Sequence, residues 1–139
     1  MISCRAQYRR RTPEAENFTR VMETSFYWLP ECTTCQKAKR RLDYHRVAPT
    51  NFRDIKREPL DRSEIERLAA LIGGAENLFS RRSVKYRELG LKDKTLSDDE
   101  MVDLMTNEYT FLKRPILVIG DRAIAGFFEK EYDALLRSR

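Results

Sequence analysis

Cys32-Thr33-Thr34-Cys35 stands where the chain changes its hydrophobic period. Before it, Ser25-Phe26-Tyr27-Trp28-Leu29 is a short aromatic and apolar run that reads as a buried strand. After it, Cys35, Ala38 and Leu42 recur at helical spacing. The order strand, tight turn, Cys-x-x-Cys, helix leaves few arrangements open. Thr33 or Thr34 is expected to cap the helix, which places Cys32 among unpaired backbone N–H groups at the positive end of the helix dipole. A thiolate is stabilised there, so Cys32 is the candidate nucleophile. Cys35 follows one turn later, at the Cα separation of roughly 5–6 Å that a disulfide needs, and is the candidate resolving thiol.

Two other uses of the pair remain open at this point. A closed zinc site needs four ligands, and besides carboxylates the chain adds only Cys4 and His45. His45 lies on the same expected helix, about 15 Å beyond Cys35 at 1.5 Å per residue, so those two cannot share one ion. No metal is expected. A structural disulfide, or two thiols buried as small hydrophobes, is the second alternative.

The 139 residues suit one domain with a core large enough to stand without staples. Three cysteines do not make a disulfide framework, and no apolar run approaches the 18 residues of a membrane span or the pattern of a secretory signal. A reducing cytoplasm is the expected compartment. The net charge of +5 invites a nucleic-acid reading. Residues 1–21, however, hold five arginines against two glutamates, which is +3 and leaves only +2 for the rest. That balance makes no strong case for direct nucleic-acid binding. Residues 1–21 show no apolar periodicity and read as a flexible basic extension, with Cys4 an exposed thiol without a role. Residues 22–139 read as the folded domain, and Met22 is a candidate start.

Along that domain, Val47 to Arg53 is expected as a second strand broken by Pro49. Asp61 with Glu64 marks a capped helix with Ile65, Leu68, Ala69 and Ile72 on its apolar face, stopped by Gly73-Gly74. Ala75 to Gly90 is helical but looser and carries the basic cluster Arg81-Arg82-Ser83-Val84-Lys85, which reads as a solvated face or as an anion or partner site. Ser97 with Glu100 starts a further helix, with Met101, Leu104 and Met105 inward. Ile116 to Ile119, a two-residue turn at Gly120-Asp121, and Arg122 to Ala125 form a hairpin. The last helix carries Phe128, Tyr132, Leu135 and Leu136 at helical spacing. The order β-α-β-α, extra helices, β-β-α is that of an α/β thioredoxin-like fold with a helical insertion between the second and third strands. In such a fold the segment before the third strand faces the Cys-x-x-Cys, which puts Arg114 beside Cys32. There a guanidinium favours a thiolate or holds an oxyanion, and Pro115 is a candidate cis residue.

From about Phe26 to Leu136 the chain resembles the family that joins glutaredoxin-linked arsenate reductases with the Spx regulators of RNA polymerase. The resemblance rests on Pro30-Glu31-Cys32-Thr33-Thr34-Cys35, Arg81-Arg82-Ser83, Tyr86-Arg87-Glu88-Leu89-Gly90-Leu91, Arg114-Pro115-Ile116 and Gly126-Phe127. It implies a nucleophilic Cys32 and an active-site Arg114, with a second reductase arginine at Arg81 or Arg82. The reductases also carry His-Asn-Pro before the cysteine and a third late arginine, where this chain has Trp28-Leu29-Pro30 and Gly126. The Spx-like branch fits better. It implies a Cys-x-x-Cys redox switch and, at the position of Gly74, a glycine that touches the polymerase α subunit; Gly74 equally reads as a helix end. The resemblance therefore implies a redox-responsive regulator that binds RNA polymerase, or else a thiol-dependent reductase working with glutathione, glutaredoxin or thioredoxin.

Overall fold

Alternation along β1 (Thr24–Trp28) decides how the layers are built. Phe26 and Tyr27 belong to opposite faces, and both are buried, so the strand needs a helical layer on each side. The computed structural model describes residues 23–138; the extension assigned to residues 1–21, with Cys4 and Met22, lies outside the described residues. β1 leads into α1 (Thr33–Tyr44), then β2 (Asn51–Asp54), α2 (Arg62–Leu71), the short α3 (Ala75–Leu78) and α4 (Val84–Glu88), and α5 (Asp98–Asn107). The hairpin β3 (Ile116–Ile119) and β4 (Arg122–Ala125) follows, and α6 (Glu129–Arg137) closes the order. The mixed sheet runs β2-β1-β3-β4, with β1 parallel to β2 and antiparallel to β3. This is the expected thioredoxin-like order, with α2 to α5 lying between the second and third strands.

One face of the sheet presents Phe26, Leu117 and Ile119 to Ala38 and Leu42 of α1 and to Tyr132, Leu135 and Leu136 of α6. The other presents Tyr27, Leu29 and Ile116 to the insertion, through Ile65, Leu68, Leu78, Phe79, Met101, Met105 and Phe111. Both long helices of the insertion start in capping boxes, Asp61 with Glu64 and Ser97 with Glu100, as their spacing predicts. At the end of α2, Gly73 has φ +91 and the Gly74 N–H reaches back to the Ala69 carbonyl at 2.7 Å, the backbone closure of a Schellman end.

Three expectations need correction. The second strand covers only Asn51–Asp54, because its partner β1 offers Ser25 opposite Asn51 and pairing proceeds from there. Val47 is buried in the α1/α6 core instead. The looser helix expected over residues 75–90 is two short helices separated by an extended segment, where Phe79 bridges Leu112. Phe128 does not join the inner stripe of the last helix. It is the exposed residue at the start of α6, and Phe127 turns inward with its ring edge-on to Tyr132 at 4.9 Å.

Candidate functional site

The antiparallel register sets Tyr27 opposite Ile116, so Arg114-Pro115 enters β3 alongside Trp28-Leu29 as β1 leaves the sheet. The Arg114–Pro115 bond is cis, as its place after a long connection suggests. β4 ends beside it, and the Gly126 N–H donates to the Pro115 carbonyl at 2.7 Å. Three segments therefore converge on the start of α1. The turn into that helix is fixed by the Cys32 N–H on the Leu29 carbonyl at 3.1 Å and by Gln36 Nε2 on the Pro30 carbonyl at 2.7 Å.

The helix cap differs from expectation. Neither Thr33 nor Thr34 caps α1; Cys32 does, with extended φ/ψ of −84 and 122 and its own Sγ accepting the Cys35 N–H at 3.4 Å. A sulfur in the capping position takes up a helix-end N–H directly, and it does so best as a thiolate. Partial burial opposes ionisation of Cys32, but the Cys35 N–H, the Cys35 thiol, the Thr34 N–H and the Arg114 charge together outweigh it and lower its pKa. Cys35 goes the other way. It is fully buried, and burial, reinforced by the neighbouring Cys32 charge against help from the Leu29 N–H and Arg114, pushes its thiol up to about 12. Two thiols one turn apart are thus split into an ionisable outer one and a protonated inner one.

The Arg114 charge acts on both sulfurs, and its Nη1 lies 3.5 Å from the carbonyls of Thr110 and Leu112. Thr110 in turn pairs its hydroxyl with Ser83 at 2.8 Å, so the start of α4 is tied to the segment that carries Arg114. Arg81 and Arg82 lie just ahead of Ser83 and are exposed. Arg81 meets Glu76 at 3.6 Å and sits over the rings of Phe79 and Tyr86, and no hydrogen bond brings either arginine to Cys32 among the described residues. Gly74 stands at the start of α3, with φ +136 and open space where a Cβ would stand. Among the described residues no group of three or more His, Cys, Asp or Glu is placed to hold a metal ion, and no helix is long and apolar enough to cross a membrane.

Sequence reasoning missed a second set of contacts, between the end of α1 and α6. Arg41 of α1 turns to α6 and grips Asp133 with Nε and Nη2 at 2.7 Å each, while His45 Nε2 lies 2.8 Å from the same carboxylate. The Arg41 and His45 hydrogen bonds hold the Asp133 carboxyl well below the usual carboxylate range, although burial opposes them. An acid whose folded pKa is depressed contributes stability above its unfolded pKa of about 3.9, and that contribution is lost as pH falls through the folded value. Asp133→Asn should therefore lower the melting temperature at pH 7. The gap to the wild type should close as pH drops below about 4, and thermal unfolding at several pH values measures it. A gap that persists unchanged at pH 2 would assign the loss to packing instead. The signal for this cluster was an acid placed between Tyr132 and Leu135 on the inner side of an amphipathic helix. Tyr132 was read only as apolar, yet a buried tyrosine also carries a hydroxyl that has to be placed.

The model of the ArsC family matches residues 27–135. The uncharacterized protein YusI of Bacillus subtilis (strain 168) is 34% identical over 115 residues, which is 81% of this chain and 97% of that protein. The global transcriptional regulator Spx of Streptococcus pneumoniae (strain ATCC BAA-255 / R6) is 33% identical over 113 residues, 81% of this chain and 84% of that regulator. Among solved structures, an ArsC family related protein from Bacteroides fragilis superposes with a TM-score of 0.75 at 29% identity, covering 83% of this chain and 98% of that one.

Proposed function

The chain belongs to the ArsC family, and on that premise we propose that it is a thiol–disulfide redox protein acting as a redox-responsive regulator that binds RNA polymerase. Cys32 attacks as a thiolate, Cys35 closes the intramolecular disulfide, and Arg114 favours the charge on both sulfurs. The observation that carries the redox reading is the geometry of the pair, with Cys32 capping α1 through its own sulfur, which lowers its pKa, and Cys35 fully buried one turn on, which raises its own. Regulators of the same family among the relatives support the transcriptional output. So does Gly74, which has open space where a Cβ would stand and leaves its backbone accessible to a partner such as the polymerase α subunit. A pull-down of polymerase with the reduced and the oxidised protein tests this. Binding should differ between the two forms in the wild type and lose that difference in Cys32→Ser; equal binding in both states, or none in either, would remove the regulator.

One observation favours a second reading, a reductase that draws electrons from glutathione, glutaredoxin or thioredoxin. Arg114 acts on the Cys32 sulfur from the third strand's approach, where it could also hold an anionic substrate. Arsenate turnover should nevertheless be absent or very slow. Losing one charge-assisted donor from an oxyanion site commonly lowers the rate about 100- to 1,000-fold, and this chain has Trp28-Leu29-Pro30 and Gly126 where the reductases place a histidine and an arginine. Efficient arsenate reduction would reverse the order of the two readings.

A further inference from the structure

Tyr132 is fully buried on α6, and its hydroxyl is the one buried side-chain polar atom without a hydrogen-bond partner among the described residues. Phenylalanine would fill the same space without leaving a hydroxyl unpaired, so the packing alone gives no reason for the oxygen. Tyr132 shares a core with Ala38 and Leu42, and Cys35 lies one turn ahead of Ala38 on that same buried face of α1. Cys35 is also the ionisable group whose charge reaches the Tyr132 hydroxyl. The phenol is thus a buried, unpaired donor on the helix that packs against the Cys35 face of α1, and the Cys35 charge reaches it.

We propose that Tyr132 is a positioning residue for disulfide closure, its hydroxyl donating a hydrogen bond to Cys35 Sγ once Cys32 is held in a mixed disulfide. This rests on the thiol–disulfide reading above. In the reduced protein Cys32 Sγ accepts the Cys35 N–H, and the neighbouring Cys35 thiol helps to lower the Cys32 pKa. When Cys32 attacks a disulfide R–S–S–R, one R–S⁻ departs and takes a proton from solvent, and Cys32 Sγ, now bonded to sulfur, no longer accepts well. Cys35 must then give its proton to solvent and attack Cys32 Sγ. The Cys32–Cys35 bond forms, the Cys32–SR bond breaks, and the second R–S⁻ leaves and is protonated. The balance is two thiols oxidised and one external disulfide reduced to two thiols. During closure the Cys35 charge faces Cys32 on its own helix, Arg114 from the approach to β3, the Leu29 N–H at the end of β1, and Tyr132 from α6. Burial keeps the phenol protonated well above its ordinary pKa, so it serves as a donor and not as a second anion.

The test uses the full chain with Cys4→Ser and an aryl disulfide whose leaving thiolate is coloured. The first release reports attack by Cys32 and the second reports closure by Cys35. Tyr132→Phe should leave the first phase unchanged, leave the melting temperature unchanged or higher, slow the second phase roughly ten- to a hundredfold at pH 7, and move its pH midpoint upward. A more acidic fluorinated tyrosine at position 132 should move that midpoint downward and accelerate closure. A second phase with the wild-type pH midpoint in both variants, whatever its rate, overturns the role of the hydroxyl. Absence of any second phase in the parent protein would instead remove the redox reading on which the inference stands.

Discussion

At pH 7, in a protein carrying Cys4→Ser, an alkylating reagent should label Cys32 at least about fiftyfold faster than Cys35. The number follows from the opposed pKa values. A thiol at about 12 is ionised in only about one molecule in 100,000 at pH 7. Cys32 is shifted the other way, below an ordinary cysteine, which at that pH already has at least about one in 100 as thiolate. That is a thousandfold difference in thiolate. The higher-pKa thiolate is intrinsically the better nucleophile, with a Brønsted slope of about 0.4–0.5, which returns a factor of about twenty over three pK units. Full burial of Cys35 then slows its labelling further, since the reagent has to reach it. Mass spectrometry of the labelled peptides gives both rates. Arg114→Ala should move the pH midpoint of Cys32 labelling upward, but by less than the loss of the helix-end N–H groups would, because the guanidinium is the smallest of the named influences on that sulfur. Comparable rates at the two cysteines would remove the assignment of attacking and resolving thiols and, with it, the redox reading.

What could be read from the sequence was whatever repeats locally. The strand before Cys32, the face of α1, the two capping boxes and the Gly120-Asp121 hairpin all lie within a few residues of the signals that specify them, and each stands in the structure where its period placed it. Cys32, Cys35, Arg114 and Pro115 come together because the strand order brings the start of β3 to the end of β1. That is a property of the fold class, so naming the class placed the residues. The errors have a different origin. Thr33 and Thr34 are good cap formers by type, but the turn from Leu29 delivers Cys32 to the capping position, and its sulfur can accept the bond. Arg41 finds its partner only when α6 supplies Asp133 from 92 residues away. The Tyr132 hydroxyl is likewise invisible to periodicity, which sees only the ring. Burial by a distant partner, and the pairing of single polar atoms, are tertiary facts with no local period to announce them.

In the same Cys4→Ser background, Cys35→Ser should turn a passing intermediate into a product that can be isolated. With Cys35 present, the disulfide on Cys32 is attacked from one turn away. Well-oriented intramolecular reactions reach effective molarities on the order of 10⁵ M. Even if only about one Cys35 in 100,000 is ionised at pH 7, the effective thiolate concentration is about 1 M. An external thiol at about 1 mM, with a pKa near 8.5, offers roughly 0.03 mM of thiolate. Internal closure therefore wins by several orders of magnitude despite the unfavourable pKa of Cys35. The margin should widen in the mixed disulfide itself, because the Cys32 charge that helped raise the Cys35 pKa has gone. With serine at position 35 only the external route remains, so the Cys32 mixed disulfide should persist at least about a hundredfold longer, as followed by intact-protein mass. Cys32→Ser should form no adduct at all. A Cys35→Ser adduct that disappears as fast as the wild-type one would show that closure does not pass through Cys35, and the pair would then be a capping cysteine with a buried neighbour and no exchange chemistry between them.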